Sequence, residues 1–72
     1  MSLGENIRER RESIGMTQTA LAGAAGVTVP AINQFEKNLT IPNAYKFSAI
    51  ADALGVTMDE LMKGHIKEGG RA

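Results

Sequence analysis

The chain contains no cysteine and no tryptophan, and its only aromatic residues are Phe35, Tyr45 and Phe47. Without cysteine, a disulfide framework and a cysteine-based zinc site are both excluded, and the lack fits a reducing compartment. With so few rings, any core has to be built mainly from aliphatic side chains. Long apolar runs are missing as well. The longest small or apolar stretch, Ala20 to Val27, falls far short of the roughly 18 residues that span a bilayer. The N-terminal region carries Glu5, Arg8, Glu9, Arg10, Arg11 and Glu12, which the apolar stretch of a signal peptide would not tolerate. A soluble protein of the cytoplasm, without membrane contact, is therefore expected. Net charge is missing too, since 8 Lys and Arg balance 8 Asp and Glu. Nucleic-acid binders usually carry a basic excess, because each neutralised phosphate releases counterions. Neutrality weighs against such a partner unless the charges are unevenly placed.

What is present describes one small domain. Seventy-two residues lie near the lower end of what folds without a staple, so stability has to come from one compact core, helped or not by a partner subunit. Hydrophobic residues make up 43% of the chain, which argues against wholesale disorder. Three junctions repeat one pattern: Met16-Thr17 with Leu21, Val27-Thr28 with Ile32, and Val56-Thr57 with Leu61. In each, the Thr oxygen can accept a first-turn N–H while the flanking apolar pair closes as a staple. Ser2 with Glu5 and Thr57 with Glu60 have capping-box spacing, and Asn43 after Pro42 is a further cap. Gly15, Gly26, Asn38, Gly55 and Gly64 stand where helices want a left-handed stop. These signals predict helices at about 3–14, 18–25, 29–37, 44–54 and 58–63. Few β-branched alternations occur, so strands are not expected. The expected domain runs over residues 1–64, with 65–72 as a flexible tail.

Each predicted helix has an inward stripe. The stripes are Leu3, Ile7 and Ile14; Leu21, Ala24 and Ala25; Ile32 and Phe35; Phe47, Ile50, Ala51 and Leu54; Met58, Leu61 and Met62. Residues 17–37 combine a short helix, a tight turn at Gly26-Val27-Thr28, and a second short helix. That is the organisation of a helix-turn-helix, whose second helix enters the major groove of DNA. Two helices crossing steeply over a tight turn need a small residue at the crossing, supplied by Ala22, and a positive φ in the turn, supplied by Gly26. An ordinary helical hairpin within a bundle is the competing reading.

Met16-Thr17-Gln18, Leu21-Ala22, Ala25-Gly26-Val27-Thr28, Ile32 and Phe35-Glu36 together resemble the Cro and repressor type of helix-turn-helix domain, which has the lambda-repressor-like fold. Pro42 and Ala53-Leu54-Gly55-Val56 extend the likeness, which covers about residues 3–63. The resemblance implies an all-α domain of five helices in a transcription regulator that binds operator DNA, often as a dimer. Members also include antitoxins. Arg11 lies on the apolar stripe of the first helix, and Glu36 shares a face with Ile32 and Phe35 on the third. Two opposite charges on buried faces most simply meet, and the family has an Arg–Glu pair at the matching positions.

The outer face of helix 29–37 carries Val29, Pro30, Ala31, Asn33, Gln34 and Lys37. Asn and Gln can each make two hydrogen bonds to adenine, and small apolar groups can meet thymine methyls, so A·T-leaning half-sites are expected. Family members often place polar base readers where Val29 and Pro30 stand here. In the first turn the missing N–H of Pro30 is tolerable, leaving the Thr28 cap to bond the N–H of Ala31. Phosphate contacts are expected from Thr17 and Gln18, and from Asn38 and Thr40 beyond helix 29–37, and Thr28 at the start of that helix is counted among the DNA-binding residues as well. If Glu36 is sequestered, Lys37 is the only other charged residue between Gly15 and Tyr45, so this side is free of repulsion without being basic.

The remaining signals are weak. His65 has no metal-spaced companion and reads as solvated. Asp59 and Glu60 are adjacent in a first turn, where acidic residues are electrostatically favoured, and do not face each other. Met58, Met62 and Ile66 are spaced at i, i+4 and form either core or a dimer surface. No catalytic, metal-binding or phosphate-loop arrangement occurs, so neither an enzyme nor a cofactor is expected. The expected partners are double-stranded DNA, as a palindromic operator, and a second copy of the chain. An antitoxin or protein-interaction module with weakened DNA contact is the alternative.

Overall fold

The computed structural model describes residues 2–65. It contains five helices: α1 (Leu3–Ser13), α2 (Gln18–Ala25), α3 (Val29–Glu36), α4 (Ala44–Leu54) and α5 (Met58–Lys63). Every start is capped by the residue its local chemistry favours. Thr17 Oγ1 accepts from the Ala20 N–H at 3.0 Å, and Thr28 Oγ1 from that of Ala31 at 3.2 Å. Asn43 Oδ1 accepts from the N–H of Lys46 at 2.9 Å. Ser2 with Glu5 and Thr57 with Glu60 close complete capping boxes. The Glu5 carboxyl is held below its ordinary pKa, first by the Ser2 backbone N–H and then by the Ser2 hydroxyl, which both donate to it.

The stops follow the same logic. Asn38 has φ 61°, and it is the one non-glycine residue with positive φ among the described residues. Its short side chain makes the left-handed conformation tolerable. Gly26 at φ 70° turns α2 into α3. Two helices end one residue earlier than expected, because Ile14 and Lys37 are C-caps.

The core collects Ile7, Leu21, Ala22, Ile32, Phe35, Phe47, Ile50, Ala51, Leu54, Val56 and Leu61. Four stripe positions need correction. Ile14 is 42% exposed, since the last buried turn of α1 is taken by Arg11 and the chain leaves the helix there. Ala24 is exposed. The inner face of α2 is centred between Leu21, Ala22 and Ala25, which places Ala24 about a quarter-turn outside it. Met58 and Met62 are exposed, because the short α5 is covered on one side only and fully buries Leu61 alone. Ile66 and the rest of the expected tail lie outside the described residues.

Three buried or capping polar contacts fix the packing of α1. Asn6, 3% exposed, donates from Nδ2 to the Leu61 carbonyl at 2.9 Å and the Met62 carbonyl at 3.3 Å, capping the end of α5. Arg10 Nε donates to the Leu54 carbonyl at 3.0 Å, doing the same for α4. Gly4 donates its N–H to Asn38 Oδ1 at 3.1 Å. The backbone of α1 lies so close to the end of α3 that a Cβ at Gly4 would overlap the Phe35 carbonyl oxygen and come within 2.7 Å of that of Glu36.

The glycines give a paired prediction. Gly4→Ala should destabilise the domain by about 1–3 kcal/mol, the usual cost of overpacking. Gly23→Ala, in mid-α2 with open space around it, should stabilise it by about 0.5–1 kcal/mol through helix propensity. Urea unfolding of both variants checks the contrast, and a neutral Gly4→Ala would contradict the close approach.

Candidate functional site

The second helix of a helix-turn-helix can work only if it is held rigidly with one face outward. On α3 the inner face is Ile32, Phe35 and Glu36, all buried. Val29, Pro30, Gln34 and Lys37 are exposed, while Ala31 and Asn33 are half-buried at the margin. The hydrophobic residues of this outer face are small at the start of the helix, and its hydrogen-bonding side chains follow one turn later. Pro30 has no N–H and Thr28 takes that of Ala31, so the start of α3 keeps few free donors.

Beneath this face lies the buried ion pair. Arg11 Nε donates to Glu36 Oε2 at 2.7 Å and Nη2 to Oε1 at 3.1 Å, a two-pronged contact. The side chains are 11% and 3% exposed. Arg11 Nη1 also donates to the Met16 carbonyl at 2.9 Å. The arginine is held above its ordinary pKa, chiefly by its hydrogen bond to Glu36 and against the opposing effect of burial. Its stabilisation is therefore complete below the ordinary arginine pKa and is lost only as pH rises through the still higher folded value. The fork also consumes the only acidic group between Gly15 and Tyr45.

The structure sorts the other expected contact residues into groups. Thr17 and Gln18 stand together at the start of α2, where Thr17 is the cap and Gln18 Nε2 donates to Glu36 Oε1 at 3.1 Å. Thr40 lies in a cleft of about 310 Å³ between α3 and α4, shared with Ala31 and Gln34 from α3 and with Asn43 and Lys46. Lys46 was not singled out from the sequence. Its position in the first turn of α4, three residues after the Asn43 cap, was the available signal. Asn38, expected to reach phosphate, is exposed and hydrogen-bonds across to the start of α1. Its Oδ1 accepts from Gly4, and its Nδ2 donates to Ser2 Oγ at 2.9 Å. Leu39 and Ile41, 70% and 84% exposed, flank Thr40, and Tyr45 is exposed nearby. His65 is exposed at the far end. Among the described residues no group of three or more His, Cys, Asp or Glu could hold a metal. No described helix is long and apolar enough to cross a membrane.

This arrangement defines a helix-turn-helix domain with the lambda-repressor-like fold. A helix-turn-helix family model matches residues 7–61, and the chain belongs to that family. Its relatives include the repressor protein C2 of Salmonella phage P22, 38% identical over 66 residues, which make up 92% of this chain and 31% of that protein. The transcriptional regulator DdrOP3 of Deinococcus deserti is 33% identical over 64 residues, covering 89% and 50%. The chain thus spans 31% and 50% of the length of these two relatives. Among solved structures, the P22 c2 repressor in complex with a synthetic operator superposes with a TM-score of 0.84 at 39% identity, covering 89% of this chain and 97% of that one. The solution structure of the P22 c2 DNA-binding domain gives 0.88 at 36% identity, covering 97% and 92%.

Breaking the ion pair from one side should be costly. Arg11→Met is expected to destabilise the domain by about 3–5 kcal/mol, because it strands a buried carboxylate. Arg11→Met with Glu36→Met should recover most of that loss. Denaturant unfolding of both variants measures it. A single variant as stable as the wild type would refute the buried pairing.

Proposed function

We propose that this chain is the DNA-binding part of a transcription regulator that lays the outer face of α3 in the major groove. The carrying observation is the outward exposure of that face over a buried Arg11–Glu36 fork. Support comes from the named repressors among its relatives and from the operator-bound neighbour of the same fold. Val29, Pro30 and Ala31 would meet thymine methyls, and Asn33 and Gln34 would hydrogen-bond adenine edges. Thr17, Gln18, Thr40 and Lys37, joined by Lys46, would hold the phosphates that fix the register. Thr28 would act as the cap that starts the reading helix. The domain comprises residues 1–64 on this reading, and it acts in the cytoplasm without enzymatic activity of its own. Two copies would read half-sites of a palindromic operator about 34 Å apart.

Zero net charge and the apolar start of α3 favour a second reading, a protein-interaction module such as an antitoxin with weak DNA contact. Selection from a random duplex pool separates the two. The regulator reading expects enrichment of A·T-leaning half-sites, with modest affinity and a shallow salt dependence. It also expects Lys37→Glu combined with Gln18→Ala to abolish retention of the selected duplex while the fold persists. No enrichment would favour the interaction module, and half-sites of G·C alone would contradict the assigned base contacts.

A further inference from the structure

The cleft between α3 and α4 has a composition that a phosphate backbone alone does not require. Its volume, about 310 Å³, lies at the small end of small-molecule pockets. The apolar part of its lining is Phe35 and Pro42, both buried, with Ile41 standing 84% exposed beside them. The polar part includes Gln34, Thr40 and Lys46. None of these three side chains hydrogen-bonds or ion-pairs with another described residue, and no described carboxylate lines the cleft. Two unmet demands therefore sit side by side. An unpaired ammonium favours an anion, to which the Thr40 hydroxyl and the Gln34 carboxamide can also donate. Ile41 is a branched apolar side chain left in water, and covering it is favourable. An inorganic anion answers only the first demand, and a neutral hydrocarbon only the second.

We propose that this cleft binds a small organic acid, a carboxylate on an aryl or branched alkyl body, and that the acid releases DNA. The carboxylate lies at Lys46 and Thr40, and the body covers Ile41 and Pro42. Gln34, Thr40 and Lys46 are the side chains that the DNA-binding reading gives to a base edge and to phosphates, so acid and duplex exclude each other. The antagonism is reciprocal, because each ligand weakens the other by the same factor. The release of DNA rests on the DNA-binding reading above, whereas the binding of the acid does not.

Titration of the full chain with 3-phenylpropionate, followed through its backbone amide resonances, tests the site. Saturable shifts are expected at Thr40, Ile41 and Lys46, with a dissociation constant on the order of 1 mM for a ligand of about a dozen heavy atoms. Acetate, inorganic phosphate and 3-phenylpropanamide should each bind about tenfold more weakly. Lys46→Gln should erase the preference for the acid over its amide, and Ile41→Asn the preference for the acid over acetate; both residues are exposed, so the fold should persist. Acetate or phosphate binding as well as 3-phenylpropionate would overturn the proposal by showing a site for charge alone. Absence of saturable shifts at the cleft would overturn it as well. The regulatory half is read on the duplex recovered by selection. At ten times its dissociation constant, 3-phenylpropionate should raise that of the duplex about tenfold, while acetate at equal ionic strength should not. Equal release by both would overturn the competition. If the wild type retains no duplex, the DNA reading fails and the regulatory half with it, while the titration still decides the site.

Discussion

The Arg11–Glu36 ion pair is the contact on which the rest of the arrangement depends. Removing two charges from water is expensive, and a buried pair often contributes little net stability against an apolar replacement. What it supplies here is geometry. One guanidinium reaches α3 through Glu36 and the entry to α2 through the Met16 carbonyl, so α1 sets the relative placement of both halves of the helix-turn-helix. Aliphatic contacts among Ile7, Leu21, Ile32 and Leu61 supply burial, but shape alone would let α3 roll by a fraction of a turn. A fork with two fixed prongs does not.

The same pair resolves the tension posed by a neutral chain. A zero sum says nothing about where charges sit. Apart from the sequestered Glu36, the acidic residues lie on α1 and from Asp52 onward, while Lys37 follows the end of α3 and Lys46 lines the cleft between α3 and α4. The face proposed to meet DNA is therefore weakly positive. Helix N-termini add partial positive charge without any ionised residue. On the proposed reading, such a surface would rely on aligned N–H donors more than on counterion release.

Much of this was legible in the sequence, for identifiable reasons. Caps and stops are local signals, so Thr17, Thr28, Asn43, Thr57 and the glycine or Asn38 stops gave every helix to within a residue. The Arg11–Glu36 pairing was legible because a charge on an apolar stripe has few ways to be satisfied. Contacts between distant segments were not legible. Asn6 looks like any polar residue of a first helix until α5 arrives over it, and Gly4 looks like a poor helix former until the carbonyls of Phe35 and Glu36 close on it. Asn38 shows the same limit from the other side. Its left-handed backbone was readable, but the direction of its side chain depends on where the start of α1 sits. Met58 and Met62 were misjudged because periodicity shows which residues share a face, and not whether anything covers that face.

The central claim is that the outward side chains of α3 touch base edges. Intermolecular nuclear Overhauser effects in the complex of this domain with its selected duplex test it most directly. The account predicts cross-peaks between the Val29 and Ala31 methyl groups and thymine methyls, together with shifts of the Asn33 and Gln34 side-chain amides. Cross-peaks confined to α5 or to the loop around Leu39, with the resonances of α3 unmoved, would contradict it.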